Sequence, residues 1–176
     1  AGLERAAHSL VAALDGLVPT EPAWSWSDDE TVGFTLRRQS HEAAIHHVDG
    51  LLAAGLDLPS FDAAFAADGV DEMVAVMLTG VPGWATVERR PDVIQLRTSD
   101  TDDVWTLGFG RMTGTSPDSG KTYDLPALEP VDETPGTVVE GRAADVYLWL
   151  WGRRDLAGID VRGDVALADE LSSIAI

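Results

Sequence analysis

The sequence predicts an α+β protein in which helices come first and a small α/β domain with an antiparallel sheet follows. Three observations predict it. Apolar residues recur at three- and four-residue intervals through Leu78, the period changes to apolar–polar alternation beyond Thr86, and a helical stripe returns over 141–154. The turn-rich run Thr79-Gly80-Val81-Pro82-Gly83 separates the first two regions, so 1–81 reads as a helical domain and 82–176 as a C-terminal α+β domain.

Composition narrows the function classes. With 176 residues, 45% hydrophobic and 24% charged, the chain can bury a real core. Twelve basic against thirty acidic residues give a formal charge of −18, spread over both halves, which repels nucleic-acid backbones and anionic membrane surfaces. No cysteine is present, which excludes disulfides, thiolate metal sites and a cysteine nucleophile; any thiol chemistry must use a thiol brought by a cosubstrate. No apolar run is long enough to cross a bilayer, and no basic region precedes a hydrophobic segment at the N-terminus, so a cytoplasmic setting is expected.

The first helix is expected over residues 2–17, where Leu3, Ala6, Ala7, Leu10, Val11, Ala13, Leu14 and Leu17 form one stripe. His8 falls beside that stripe, as a surface or boundary histidine. Pro19 and Pro22 end the helix, and Trp24 to Thr31 is a loop closing in capping-type residues. Trp24 and Trp26 are expected to anchor that loop on a core or to line a cleft.

The stretch Arg38-Gln39-Ser40-His41-Glu42-Ala43-Ala44-Ile45-His46-His47, closed by Asp49, lacks Gly and Pro until Gly50 and holds three of the four histidines. It reads as the middle of a helix. At about 100° per residue, Glu42, His46 and Asp49 lie within roughly 60° of one another, whereas His41 and His47 project about 100° and 140° away from Glu42. A carboxylate and an imidazole four residues apart can bind one divalent metal, because adjacent turns bring both donors to a common point. Two ligands make half a site, and a solvated Glu–His pair is the alternative reading of the same spacing.

Beyond Gly50 and Gly55, Leu56-Asp57-Leu58-Pro59 makes a turn, and Ser60 caps a helix carrying Phe61, Ala64 and Phe65 that resumes from Val70 to Leu78. Asp68, Asp71 and Glu72 either add a carboxylate to a metal or form a solvated acidic face. Strands are expected at Thr86–Arg90, Val93–Thr98 and Val104–Phe109, with a turn over 98–103, then a long loop over 113–136 and a short strand at Gly136–Glu140. Lys121, the single lysine, falls in that loop without an activating partner. A helix over Gly141–Arg154 places Arg153 and Arg154 in its last turn, where positive charge suits the dipole, and Arg142 in its first turn, against it. Val161 to Asp164 is a strand end and turn, and Val165 to Ile174 a closing helix. No Gly-rich phosphate cradle, nucleophile elbow or internal repeat is visible.

The run from Val32 to Asp49 resembles the central helix of the mycothiol-dependent maleylpyruvate isomerase family, within the wider DinB-like metalloproteins. Gly141 to Arg154, followed by Arg162-Gly163-Asp164-Val165-Ala166-Leu167, is similar to the C-terminal domain that accompanies it. The resemblance implies an incomplete antiparallel DinB-like bundle in 1–81. It implies a divalent metal, zinc first, held by Glu42 and His46, with Asp49 orienting His46 or binding the metal itself. It further implies mycothiol as thiol cosubstrate, a small anionic electrophile as substrate, and Arg153 as the arginine that grips it, with Arg142 an outside candidate. Family members carry a third metal-binding histidine on a further N-terminal helical stretch, which this sequence is expected to lack, and His8 is not its equivalent. An isomerase or S-transferase is therefore expected, against the alternative of a non-catalytic binding or scaffold relative with an incomplete site. A bundle short of a helix would expose an apolar face that a second copy can cover.

Overall fold

The computed structural model describes residues 2–175; the side chain of Leu3, assigned above to the first apolar stripe, lies outside that description. The chain divides into two compact units, residues 1–50 and 51–176.

In the first unit, α1 (Gly2–Leu14) ends at Gly16, whose φ of 81° reverses the chain at no steric cost. The described side chains of α1 are almost all exposed. The loop that follows is stitched by its own backbone: Ala23 donates to Glu30, Val32 to Glu21 and Gly33 to Pro19. Ser25, buried in the loop, bonds the carbonyls of Ser27 and Asp29. Trp26 lies edge-on to Phe34 at 5.5 Å, but Trp24 is 83% exposed and does not anchor the loop. Thr31 Oγ1 accepts from the Phe34 amide at 3.1 Å and caps α2 (Val32–Ala54). The helix runs through Gly50 and stops at Gly55, where φ is 65° and the amides of Gly55 and Leu56 satisfy the carbonyls of Leu52 and Leu51. Its buried stripe is Phe34, Arg38, His41, Ile45 and Val48, a three–four spacing in which an arginine and a histidine take positions ordinarily apolar.

In the second unit, Asp62 rather than Ser60 caps the next helix, α3 (Ala63–Glu72), by accepting from the Phe65 amide. The helix widens into a π-helical segment, Met73–Leu78, where Thr79 Oγ1 reaches back to the Val74 carbonyl at 2.9 Å. Five strands follow in the order β3-β2-β1-β4-β5. β1 (Thr86–Thr98) is one strand where two were expected; a bulge between Arg89 and Val93 absorbs Pro91, which has no amide to donate. β2 (Val104–Thr115) pairs with β1, and β3 (Thr122–Pro130) pairs with β2, both antiparallel. β3 occupies nine residues of the expected long loop over 113–136. It is an edge strand, and that position tolerates Pro126 and Pro130.

The sheet is mixed, not antiparallel throughout: β4 (Thr137–Gly141) runs parallel to β1, with Ile94 opposite Thr137. The six residues 131–136 make the crossing, a reach of about 20 Å against three strand spacings of about 4.8 Å. Val131 donates to Thr106 and Gly136 to Val93 on the way. β5 (Asp160–Arg162) closes the other edge antiparallel to β4, and Arg162 bonds both Glu140 and Asp160. The bond from Arg162 holds the Glu140 carboxyl below its ordinary range.

α4 (Ala143–Leu150) is shorter than the expected 141–154. Asp100, in the β1–β2 turn, accepts the Ala143 amide at 2.7 Å and the Arg142 guanidinium at 3.4 Å, so the positive charge at this N-terminus is answered by a carboxylate. The helix ends at Gly152, φ 66°, with Gly152 donating to Trp149 and Arg153 to Leu148. Tyr147 is fully buried and meets Phe61 and Phe65 edge-on at 5.8 and 6.4 Å, which joins α3 to α4. α5 (Val165–Ile174) is capped by Asp164 and tied to the β1 bulge by two 3.0 Å bonds from Arg90 to Glu170.

Candidate functional site

α2 supplies the site because its length is helical without interruption from Val32 to Ala54. Residues three and four apart then face each other, and four charged or titratable side chains fall in line. Arg38 Nη2 donates to Glu42 Oε1 at 2.7 Å. Glu42 Oε2 faces His46 Nε2 at 3.1 Å, and His46 Nδ1 faces Asp49 Oδ2 at 3.1 Å. Only Arg38 in the row is buried: side-chain exposure is 5% at Arg38, 39% at Glu42, 69% at His46 and 36% at Asp49.

Each ring nitrogen of His46 therefore stands 3.1 Å from a carboxylate oxygen. A neutral imidazole carries one N–H and leaves its other nitrogen as an acceptor facing an acceptor. His46 is 69% exposed, so water also reaches the ring. For bonds of about 2.1 Å, two ligands of one cation stand about 3.0 Å apart in an octahedron and about 3.4 Å in a tetrahedron, which brackets the observed spacing. The 3.1 Å spacing is equally that of a hydrogen-bonded Glu–His pair, and the two side chains could supply at most two positions of a divalent ion. Among the described residues no cluster of three His, Cys, Asp or Glu donors forms.

Glu42, His46 and Asp49, singled out from helix arithmetic, thus meet on one face of α2. His41 is instead buried in the helix stripe, while His47 and His8 are exposed. Arg153 belongs to the second unit and lies just past α4 rather than in its last turn, half-buried, with Nη1 donating to the Trp151 carbonyl at 2.5 Å. Arg154 turns back to Asp145 at 2.5 Å. The acidic face of α3 is not simply solvated: Glu72 is buried and Asp71 accepts the Trp105 indole at 3.0 Å. Lys121 stands 4.9 Å over the Tyr123 ring, a packing role. The residue that sequence reasoning passed over is Arg38. Its signal lies in the spacing, since it stands four residues before Glu42 on the same helix.

The mycothiol maleylpyruvate isomerase N-terminal domain matches residues 1–49, and the MDMPI C-terminal domain matches residues 64–170. The chain belongs to the mycothiol maleylpyruvate isomerase family. The N-terminal match contains the whole Arg38–Glu42–His46–Asp49 row, and the C-terminal match contains Arg142, Arg153 and Arg154. No curated protein matches the chain. Among the described residues no helix is long and apolar enough to cross a membrane.

Proposed function

We propose that the chain is a metal-dependent, mycothiol-assisted isomerase or S-transferase acting on a small anionic electrophile. The observation that carries this reading is the facing of Glu42 Oε2 and His46 Nε2 at 3.1 Å, inside the family's N-terminal domain. Zinc suits a carboxylate–imidazole pair, and a cytoplasmic setting suits a free thiol cosubstrate. When bound, the metal supplies a Lewis acid that lowers the pKa of a thiol, so that thiolate exists at neutral pH.

Each side chain then has a task. Glu42 and His46 would hold the ion, and Asp49 would fix the ring of His46 from its far nitrogen. The role of gripping a substrate carboxylate comes to Arg153 from the family resemblance alone. The cosubstrate thiolate forms a C–S bond to one alkene carbon of the conjugated substrate, and the π electrons move to the carbonyl oxygen. Rotation about the resulting single bond and collapse of the enolate expel the thiolate and leave the trans product, with no net redox change. The 176 residues contain no cysteine to compete with that thiol.

One observation favours the second reading, a non-catalytic relative. Glu42 and His46 are already paired with each other, with Arg38 and with Asp49, and no three-donor cluster forms among the described residues. The test is mycothiol-dependent isomerisation of maleylpyruvate by zinc-loaded protein, followed by absorbance, beside Glu42→Ala and Arg153→Ala. The isomerase reading expects turnover that needs both thiol and Glu42 and a raised KM in Arg153→Ala. Absence of thiol-dependent turnover supports the scaffold.

A further inference from the structure

We propose that Arg38 is a positioning residue for the Glu42–His46 pair: by binding Oε1 of Glu42 it orients the carboxylate so that Oε2 is turned to His46 and to any ion held between them. The inference rests on the metal-binding reading above and adds a residue that neither ligand spacing nor the family match assigns.

Burial and geometry carry it. Arg38 is one of the few buried charged residues of α2, at 5% exposure, so packing fixes its guanidinium in place. Glu42 is 39% exposed and, unheld, would lose little by swinging into water. The 2.7 Å bond from Nη2 to Oε1 is at the short end for a charge-assisted pair, and it occupies the oxygen farther along the row from His46. A carboxylate carries about four lone-pair sites, so the bond to Oε1 does not exhaust that oxygen; it fixes the plane of the carboxylate with Oε2 turned to His46 Nε2 at 3.1 Å. A rigid side chain thereby orients a mobile one, as outer partners of metal ligands do.

The two effects of Arg38 on an ion differ in sign, which makes the claim testable. As a bare positive charge it repels a divalent cation, so its removal would tighten binding. As a positioning group it orients the donor, so its removal weakens binding by about tenfold or more. Zinc affinity is measured by competition with a chromophoric chelator, and cobalt(II) absorption reports coordination geometry, on wild-type chain, Arg38→Met, Arg38→Lys and Glu42→Ala. The proposal expects Arg38→Met to bind zinc at least about tenfold more weakly than wild type, and Arg38→Lys to fall between, with an altered cobalt spectrum. Equal or tighter zinc binding by Arg38→Met overturns the positioning role while the metal reading stands. If Arg38→Met does not fold, Arg38→Lys decides: affinity and cobalt spectrum identical to wild type overturn the proposal. If wild type and Glu42→Ala bind zinc alike, the metal reading itself fails and takes the proposal with it.

Discussion

Removing either member of the Arg38–Glu42 pair tests whether the candidate site is held from inside the helix core. An exposed pair four residues apart on a helix contributes about 0.3–0.5 kcal/mol, whereas breaking a buried pair costs about 3–5 kcal/mol. Arg38 is buried but Glu42 keeps 39% of its side-chain surface in water, so the carboxylate remains partly hydrated and the coupling should be about 1–2 kcal/mol. Urea denaturation of wild type, Arg38→Met, Glu42→Ala and the double variant measures that coupling as a cycle, provided the m-values agree. The coupling should survive about 0.5 M salt, because a pair with a buried member is screened little. A coupling below about 0.5 kcal/mol, or one abolished by salt, would refute the argument that the buried guanidinium holds the carboxylate.

Three further outcomes follow from the second unit. Asp100→Ala should lower stability by about 1–2 kcal/mol through loss of the acceptor for the Ala143 amide, and Asp100→Asn should recover most of it; urea titration checks both. Gly163→Ala should cost about 2–4 kcal/mol, since φ is +109° and a Cβ would stand 2.4 Å from the Gly136 carbonyl; Gly120→Ala, at φ +68° in open space, should cost about 1 kcal/mol, and thermal melts separate them. Arg162 holds the Glu140 carboxyl below its ordinary value of 4.5, so that pair stabilises the fold above this pH and is lost as pH falls through the depressed value. Wild type should therefore lose Tm more steeply than Glu140→Gln on acidification below pH 4.5, by a small amount because the pair is exposed.

Much of the site was legible in the chain because helix geometry is local. Once 38–49 is helical, the 3.6-residue period alone aligns Glu42, His46 and Asp49. What was not legible is which face of α2 is buried. The stripe includes Arg38 and His41, and no periodicity of apolar residues marks a buried guanidinium. The sheet was half legible for a similar reason. Alternation identifies β1 and β2 but carries no direction, so parallel β4 could not be told from antiparallel, and β3 was hidden by prolines that only an edge accepts. α4 ends at Leu150, just before Gly152 with its positive φ, a local signal set against an apolar run that continues the helical pattern towards Arg154.

Metal content tests the central claim most directly. Purified chain loaded with zinc, dialysed and measured by elemental mass spectrometry should retain about one equivalent; Glu42→Ala and His46→Ala should retain almost none, and Arg153→Ala should retain the wild-type amount. Zinc that is absent from wild type, or that persists in both Glu42→Ala and His46→Ala, would contradict a metal site on α2.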